Sequence, residues 1–303
     1  MNGILIIDKP EGITSHDVVA KCRRILRTKK IGHTGTLDPF ATGVVVILVG
    51  KATRLAQFLD KDVKEYDATV QFGFETDTGD RTGVRKEGEK GRKGEGENFS
   101  VEEIEAVLRD FRGEIMQTPP MYSAKKVDGK KLYELARKGI EIERKPVKIN
   151  IYELELSEPP AVAGGLNEVK IRVSCTAGTY IRVLAEDIGK KLEIGAHLAE
   201  LRRIRAGKFT LETALTLEEL EQKVANDELE NHIVSMSEAI SHLTEVKLTT
   251  EEIAKIKNGI KLQRELNQTK TGDFLRLTDS ENLLAIGFYD EAEKIIQPKH
   301  VLV

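Results

Sequence analysis

The chain has 303 residues, enough to bury a substantial core and to hold more than one domain. Apolar content is ordinary at 40 %, and no run approaches the roughly 18 apolar residues of a membrane span. A formal net charge of -3 argues against a nucleic-acid partner as a sum, but charge is segregated, with six cations and no acid in 18–37 and ten acids against two cations in 218–252.

Ile4–Ile7 reads as a short apolar strand ending in the turn Asp8-Lys9-Pro10-Glu11-Gly12. Ser15 is the expected N-cap of a helix over 16–27, with Val18, Val19, Cys22, Ile25 and Leu26 on one face. Lys21, Arg23, Arg24 and Arg27 lie off that face, as a solvated surface or as RNA contacts. Residues 30–43 read K-I-G-H-T-G-T-L-D-P-F-A-T-G, a structured loop punctuated by glycine and proline. Asp38 is the only acid between Asp17 and Asp60, and Pro39 biases it toward an extended backbone. By itself it also fits a loop aspartate making a local turn.

Val44–Val49 is an unbroken apolar strand, expected to be buried on both faces. A short helix over 51–59 and a strand over 64–74, opening K-E-Y-D-A, follow. Residues 82–98 are rich in Gly, Lys and Glu, and a mobile insertion is expected there. Ser100 and Glu103 form a capping box for a helix to about Phe111. Pro119-Pro120 then stops regular structure, and a helix is expected over 130–138 with Gly139 as its C-cap. Residues 122–148 hold nine cations against four acids, with Tyr122 and Tyr133 among Lys125, Lys126, Lys130, Lys131, Arg137 and Lys138. Such mixtures suit phosphate contact with base stacking; an amphipathic surface helix gives the same pattern.

Strands are expected over 146–156 and 168–176, joined by a loop over 157–167. A-G-T-Y-I-R-V-L-A-E-D-I-G, residues 177–189, runs from a glycine turn into a helix with Ile181, Leu184, Ala185 and Ile188 inward. A-H-L-A-E-L-R-R-I-R, residues 196–205, follows. An acidic helix over 217–231, a linker over 235–246, a capped helix from Thr249 to Asn258-Gly259 and strands over 274–277, 283–289 and 293–296 complete the chain. Cys22 and Cys175 read as small core residues in a reducing compartment. The six histidines have no ligand spacing, and no metal is expected. The beginning of the sequence shows no charged leader before an apolar core, so no signal peptide is expected.

Three blocks carry a resemblance. G-H-T-G-T-L-D-P-x-A-T-G, residues 32–43, resembles the active-site motif of the TruB-type tRNA pseudouridine synthases. K-x-Y at 64–66 and G-T-Y-I-R-x-L at 178–184 resemble two further motifs of the same family, and scattered likeness covers roughly residues 3–210. The resemblance implies a mixed α/β (α+β) fold with a largely antiparallel sheet flanked by helices. It also implies an RNA-contacting, thumb-like insertion at about 112–145 within a catalytic domain over 1–240, and a small PUA-like barrel over 245–303. That barrel is weakly marked, and a packing module without RNA contact fits equally.

The implied reaction isomerises a T-loop uridine of tRNA, at position 55, to pseudouridine. The product is an isomer, so no cofactor is expected. The resemblance makes Asp38, Tyr66 and Arg182 catalytic, with Arg182 the expected partner of Asp38. It places His33, Tyr180, Leu201, Asp80 and Lys9 around the nucleotide, with Lys9 and Pro10 supporting the catalytic loop. Lys125, Lys126, Lys130, Lys131 and Arg202 are the expected RNA contacts. A carboxylate can attack or stabilise an oxocarbenium-like C1′. Burial would raise its pKa, and an adjacent guanidinium is expected to hold it down. A monomer in the cytoplasm, with the tRNA T arm as partner and no membrane, is the expected setting. Competing readings are a tRNA-binding and refolding factor, an N-glycosylase that stops after cleavage, and a structural ribosomal partner.

Overall fold

The computed structural model describes residues 1–86, 100–127, 129–157, 167–267, 269–279 and 281–303, without the side chains of Lys126 and Lys131. Most of the expected insertion at 82–98 and of the loop at 157–167 therefore lies outside the described residues.

Chain order begins β1 (Gly3–Lys9), α1 (Ser15–Ile25), β2 (Ile31–Thr34), β3 (Thr42–Val49), a 3₁₀ turn (Gly50–Leu55), α2 (Ala56–Leu59) and β4 (Lys64–Phe72). It continues with α3 (Val101–Asp110), β5 (Gly113–Gln117), the small hairpin β6 (Lys126–Val127) and β7 (Lys130–Lys131), and α4 (Leu132–Ala136). Next come β8 (Val147–Leu156), β9 (Glu168–Cys175), α5 (Ile181–Lys191), β10 (Ala196–Ala206), β11 (Phe209–Thr210) and α6 (Leu217–Ala225). The chain closes with α7 (Met236–Ala239), β12 (Thr244–Lys247), α8 (Thr250–Lys257), β13 (Leu262–Gln263), β14 (Phe274–Thr278), β15 (Leu283–Asp290) and β16 (Ile295–Val301).

Nine strands form one sheet with the path β1-β3-β10-β4-β9-β8-β5, β2 adding to β3 and β11 to β10. All its pairings are antiparallel except β3 with β10, where Thr42 and Gly43 face Arg202 and Arg203. Gly43 is required there: its φ is +102°, and a Cβ would stand 2.2 Å from the Arg203 carbonyl oxygen. β3 is buried on both faces, as its unbroken apolar run predicts. Val45, Ile47 and Val49 join a core built with α1, α3, α5 and α6, while Val44, Val46 and Leu48 join a second core. That second core also takes Ala239, Ile240, Leu283, Ile286 and Leu302, so the C-terminal sheet packs on the back of the first one. Its order is β12-β14-β15-β16-β13.

Several local expectations change. Thr14, not Ser15, caps α1: its Oγ accepts from Asp17 N at 3.1 Å, and the Asp17 carboxylate accepts from Thr14 N at 2.8 Å. The segment expected to be all loop opens as β2, because Ile31–Thr34 can pair with Val46–Val49. The helix expected over 130–138 begins only at Leu132, since Lys130 and Lys131 close the hairpin first. Gly139 then turns at φ +68°, as its C-cap role requires. The acidic helix stops at Ala225, where Asp227 takes a φ of +58°. The expected linker over 235–246 holds α7 and β12, whose Val246 is buried in the small C-terminal core. Among the described residues no helix is long and apolar enough to cross a membrane.

Candidate active site

Asp38 sits at the tip of the loop between β2 and β3, and the turn after β1, with the start of α1, holds that loop from below. Lys9 ends β1 fully buried, and its Nζ donates to the carbonyls of Pro10 (2.9 Å), Ile13 (2.7 Å) and Pro39 (3.1 Å). Gly12 N donates to the same Pro39 carbonyl at 2.8 Å. Ser15, freed from capping, takes a hydrogen bond from Leu37 N at 2.9 Å and returns one to Leu37 O at 3.3 Å. The residues on either side of Asp38 are thereby pinned to β1 and the start of α1.

Arg182 reaches the same carboxylate from the first turn of α5. Its Nε donates to Asp38 Oδ2 at 2.9 Å and its Nη2 approaches Oδ1 at 3.4 Å. The guanidinium also donates to Thr78 O and to Tyr122 O, each at 2.7 Å, and stands 3.7 Å from Asp80. Arg182 is buried, whereas Asp38 keeps 35 % of its side-chain surface on the cavity side. Arg182 pulls the carboxyl down, as expected, but does not cancel burial. The Asp38 pKa lies above the ordinary carboxylate value: burial pushes it up most, and the Asp80 charge adds to the push.

The carboxylate opens onto a cavity of about 490 Å³ whose lining includes Asp38, His33, Tyr66, Tyr180, Arg182 and Leu201. Six of the expected residues, drawn from separate stretches of the sequence, thus meet around one space. Tyr66 is buried near the start of β4, and burial raises its phenol. Tyr180 precedes α5 and is clamped by Gln117 of β5: its N–H donates to Gln117 Oε1 at 2.8 Å and its carbonyl accepts from Nε2 at 3.0 Å. His33 stands on β2 against His16, with ring centroids 5.1 Å apart, and its Nδ1 has no partner among the described residues. Burial lowers its pKa, with His16 and Arg203 adding to the effect.

The other expected residues lie elsewhere. Asp80 is buried behind Arg182, where its carboxylate accepts from Thr78 Oγ, Thr82 N and Thr82 Oγ and closes its own turn. Lys9 lies below the loop, off the cavity wall. Arg202 points to the reverse face of the sheet and pairs with Asp8 at 2.6 Å. Lys130 is exposed on the small hairpin and Lys125 half-buried beside it; Lys126 and Lys131 lie outside the described side chains.

Two cavity residues were not among the expected site residues. Lys64 opens β4 two positions before Tyr66, so the two share a face. Arg203 is 1 % exposed and faces Tyr66 across the β4/β10 pairing. K-x-Y on a strand carries the signal for Lys64. For Arg203 none exists: in L-R-R-I-R, register shifts at 198/200 and 203/205 decide which arginine turns inward.

The chain matches two family models, the TruB family pseudouridylate synthase N-terminal domain over residues 23–181 and the tRNA pseudouridylate synthase B C-terminal domain over residues 182–241. It is 47 % identical over 259 residues to the tRNA pseudouridine synthase B of Solibacter usitatus, covering 86 % of this chain and 85 % of that one. It is 40 % identical to the enzyme of the same name from Bacillus subtilis, covering 100 % of this chain and 98 % of that one. A crystal structure of a Cbf5-Nop10-Gar1 complex superposes with a TM-score of 0.74 at 28 % identity, over 99 % of this chain and 85 % of that one. A structure of an H/ACA RNP bound to a substrate RNA containing 2′-deoxyuridine gives 0.73 at 27 %, over 99 % and 85 %. With the family models spanning most of its length and relatives this close over the whole of it, the chain belongs to the TruB family of pseudouridylate synthases.

Proposed function

We propose that this protein converts the T-loop uridine of tRNA, position 55, to pseudouridine, as a cytoplasmic monomer acting on the T arm. The observation that carries the reading is the forked Arg182–Asp38 pair on the wall of a cavity that Tyr66, Tyr180 and Leu201 also line. The names of the relatives support tRNA as the substrate. We take residues 1–240 as the catalytic unit and 245–303 as a PUA-like unit.

The target uridine leaves its stack at a cost of a few kcal/mol, offset by packing in the cavity. Tyr66 stacks on the base while Tyr180 and Leu201 shape the space around it. His33, uncharged at neutral pH because burial holds its pKa down, fills the gap left in the RNA. Asp38 acts ionised at C1′. The N1–C1′ bond breaks and uracil leaves with the electron pair. The ring turns to present C5, the C5–C1′ bond forms, C5 gives up its proton to solvent and N1 takes one up. Arg182 supplies the charge that keeps Asp38 ionised and the fork that aims it. The cations of the 122–148 segment contact the phosphates of the T arm.

The test is tritium release from [5-³H]uridine-labelled tRNA by wild type and Asp38→Asn, with no metal added. Release by wild type alone, without free uracil, supports isomerisation. Free uracil would point to a glycosylase. Binding without release from either protein would point to a tRNA-binding factor.

A further inference from the structure

Three cations lie buried around the Asp38 loop with no carboxylate in ion-pairing range among the described residues. Lys9 bonds only to the three carbonyls already described. Lys64, 4 % exposed, donates to Asp62 O at 2.7 Å and to Asp60 O at 3.4 Å. Arg203, 1 % exposed, donates to Val44 O at 2.7 Å and to Gly35 O at 2.8 Å. Buried cations ordinarily have a counter-charge, because desolvation is otherwise uncompensated. Lys64 and Arg203 line the cavity itself, Lys64 two positions before Tyr66 on β4 and Arg203 opposite Tyr66 on β10. Arg182 differs, being committed to Asp38 and Asp80.

We propose that Lys64 and Arg203 stabilise the negative charge that appears on the uracil ring when its bond to C1′ breaks. The inference rests on the isomerisation proposed above. Uridine enters neutral, so the cations have no permanent partner to bind. When N1 takes the bonding pair, a full charge spreads over N1, C5, O2 and O4. Cations fixed in place before the reaction stabilise that charge without reorganising. A phosphodiester is the other anion RNA could offer. It is charged and hydrated from the start, and contact with it suits exposed cations at a rim. Lys64 and Arg203 sit instead beside Tyr66, the residue proposed to stack on the base.

The groups facing Lys64 are Arg203 from β10, Asp60 and Asp62 from the segment before β4, and Cys175 from β9. Burial brings the Lys64 ammonium down to about 8, with Arg203 adding to the effect. The Cys175 thiol is pushed up to about 12 and the Tyr66 phenol rises above its usual value, so neither titrates near pH 8.

The experiment is single-turnover isomerisation from pH 6 to 10, with tRNA Kd measured alongside, for wild type, Lys64→Met and Lys64→Arg. Lys64→Met is expected to slow the single-turnover step about 100-fold while Kd stays within about twofold. Lys64→Arg is expected to stay within about tenfold of wild type. Wild type should lose rate above about pH 8, where Lys64 gives up its proton, and Lys64→Arg should lose clearly less, the remainder falling to Lys9, which burial also brings down to about 8. A wild-type rate in Lys64→Met would overturn the proposal. So would a loss confined to Kd, the mark of a phosphate contact, or an alkaline decline as large in Lys64→Arg as in wild type. If Lys64→Met does not fold, the pH profile of Lys64→Arg decides. An inactive wild type would sink the isomerisation reading itself; an active wild type matched by Lys64→Met sinks this inference alone.

Discussion

Arg182 and Asp38 are 144 residues apart in sequence and 2.9 Å apart at Nε and Oδ2, and the same guanidinium bonds Thr78 O and Tyr122 O. One side chain therefore joins the loop after β2, the turn at Thr78 and the segment around Tyr122. Arg182→Lys keeps a charge but cannot make all these bonds at once. It is expected to lower the isomerisation rate by about 10²-fold. Asp38→Asn is expected to lower it by about 10⁴-fold or more, with tRNA affinity retained. Filter binding and tritium release, measured together, check both.

If Asp38 acts ionised as proposed, its raised pKa should set the acid limb of activity above the unperturbed value of 3.8. Asp80→Asn removes a charge that raises it, so the limb should move down. Arg182→Met removes the cation that lowers it, so the limb should move up. The stability effect has its own sign. A carboxyl whose folded pKa is raised contributes stability below its unfolded pKa and loses it as pH rises through the folded pKa. At neutral pH wild type has lost that contribution. Asp38→Asn, which cannot ionise, should melt at or above the wild-type temperature at pH 7, a comparison calorimetry can make.

Lys9→Met should destabilise the fold by about 3 kcal/mol, since three buried carbonyls lose their donor. The folded Lys9 titrates at about 8 against 10.5 unfolded, because burial disfavours its charge. Between those values the unfolded chain binds more protons, so the Lys9 contribution grows with pH. The stability gap between wild type and Lys9→Met should widen from pH 8 to 10.5 in urea titrations. A gap that stays flat would contradict the burial assigned to Lys9.

Gly43→Ala should cost about 3 kcal/mol or more, because a Cβ at φ +102° meets the Arg203 backbone at 2.2 Å. The strain falls on the parallel pairing that carries both Arg203 and the end of the Asp38 loop. Activity should therefore fall further than stability. Urea midpoints and single-turnover rates separate the two.

Cys22 and Cys175 are fully buried, and burial pushes both thiols up to about 12. Neither should react with a thiol reagent in the native protein, and both should do so in urea. Prompt reaction of either in the native state would show that the core around α1 or β9 opens readily.

Much of this protein follows from sequence by itself, for local reasons. The unbroken apolar run Val44–Val49 determined a strand buried on both faces, and Ser100 with Glu103 determined where α3 starts. The unusual composition of residues 32–43, with its lone acid, singled out the Asp38 loop, and the family likeness named Arg182 as its partner. Tertiary structure decided what local pattern leaves degenerate. Thr14 and Ser15 are both good caps, and the bond to Leu37 claims Ser15 for the loop. Arg202 and Arg203 are adjacent and alike. Strand alternation, reset by the register shifts in β10, turns the first to Asp8 on the outer face and the second into the cavity. The Asp38 pKa belongs to the same class: its direction depends on burial, Arg182 and Asp80 acting together, three influences that meet only once the chain is folded.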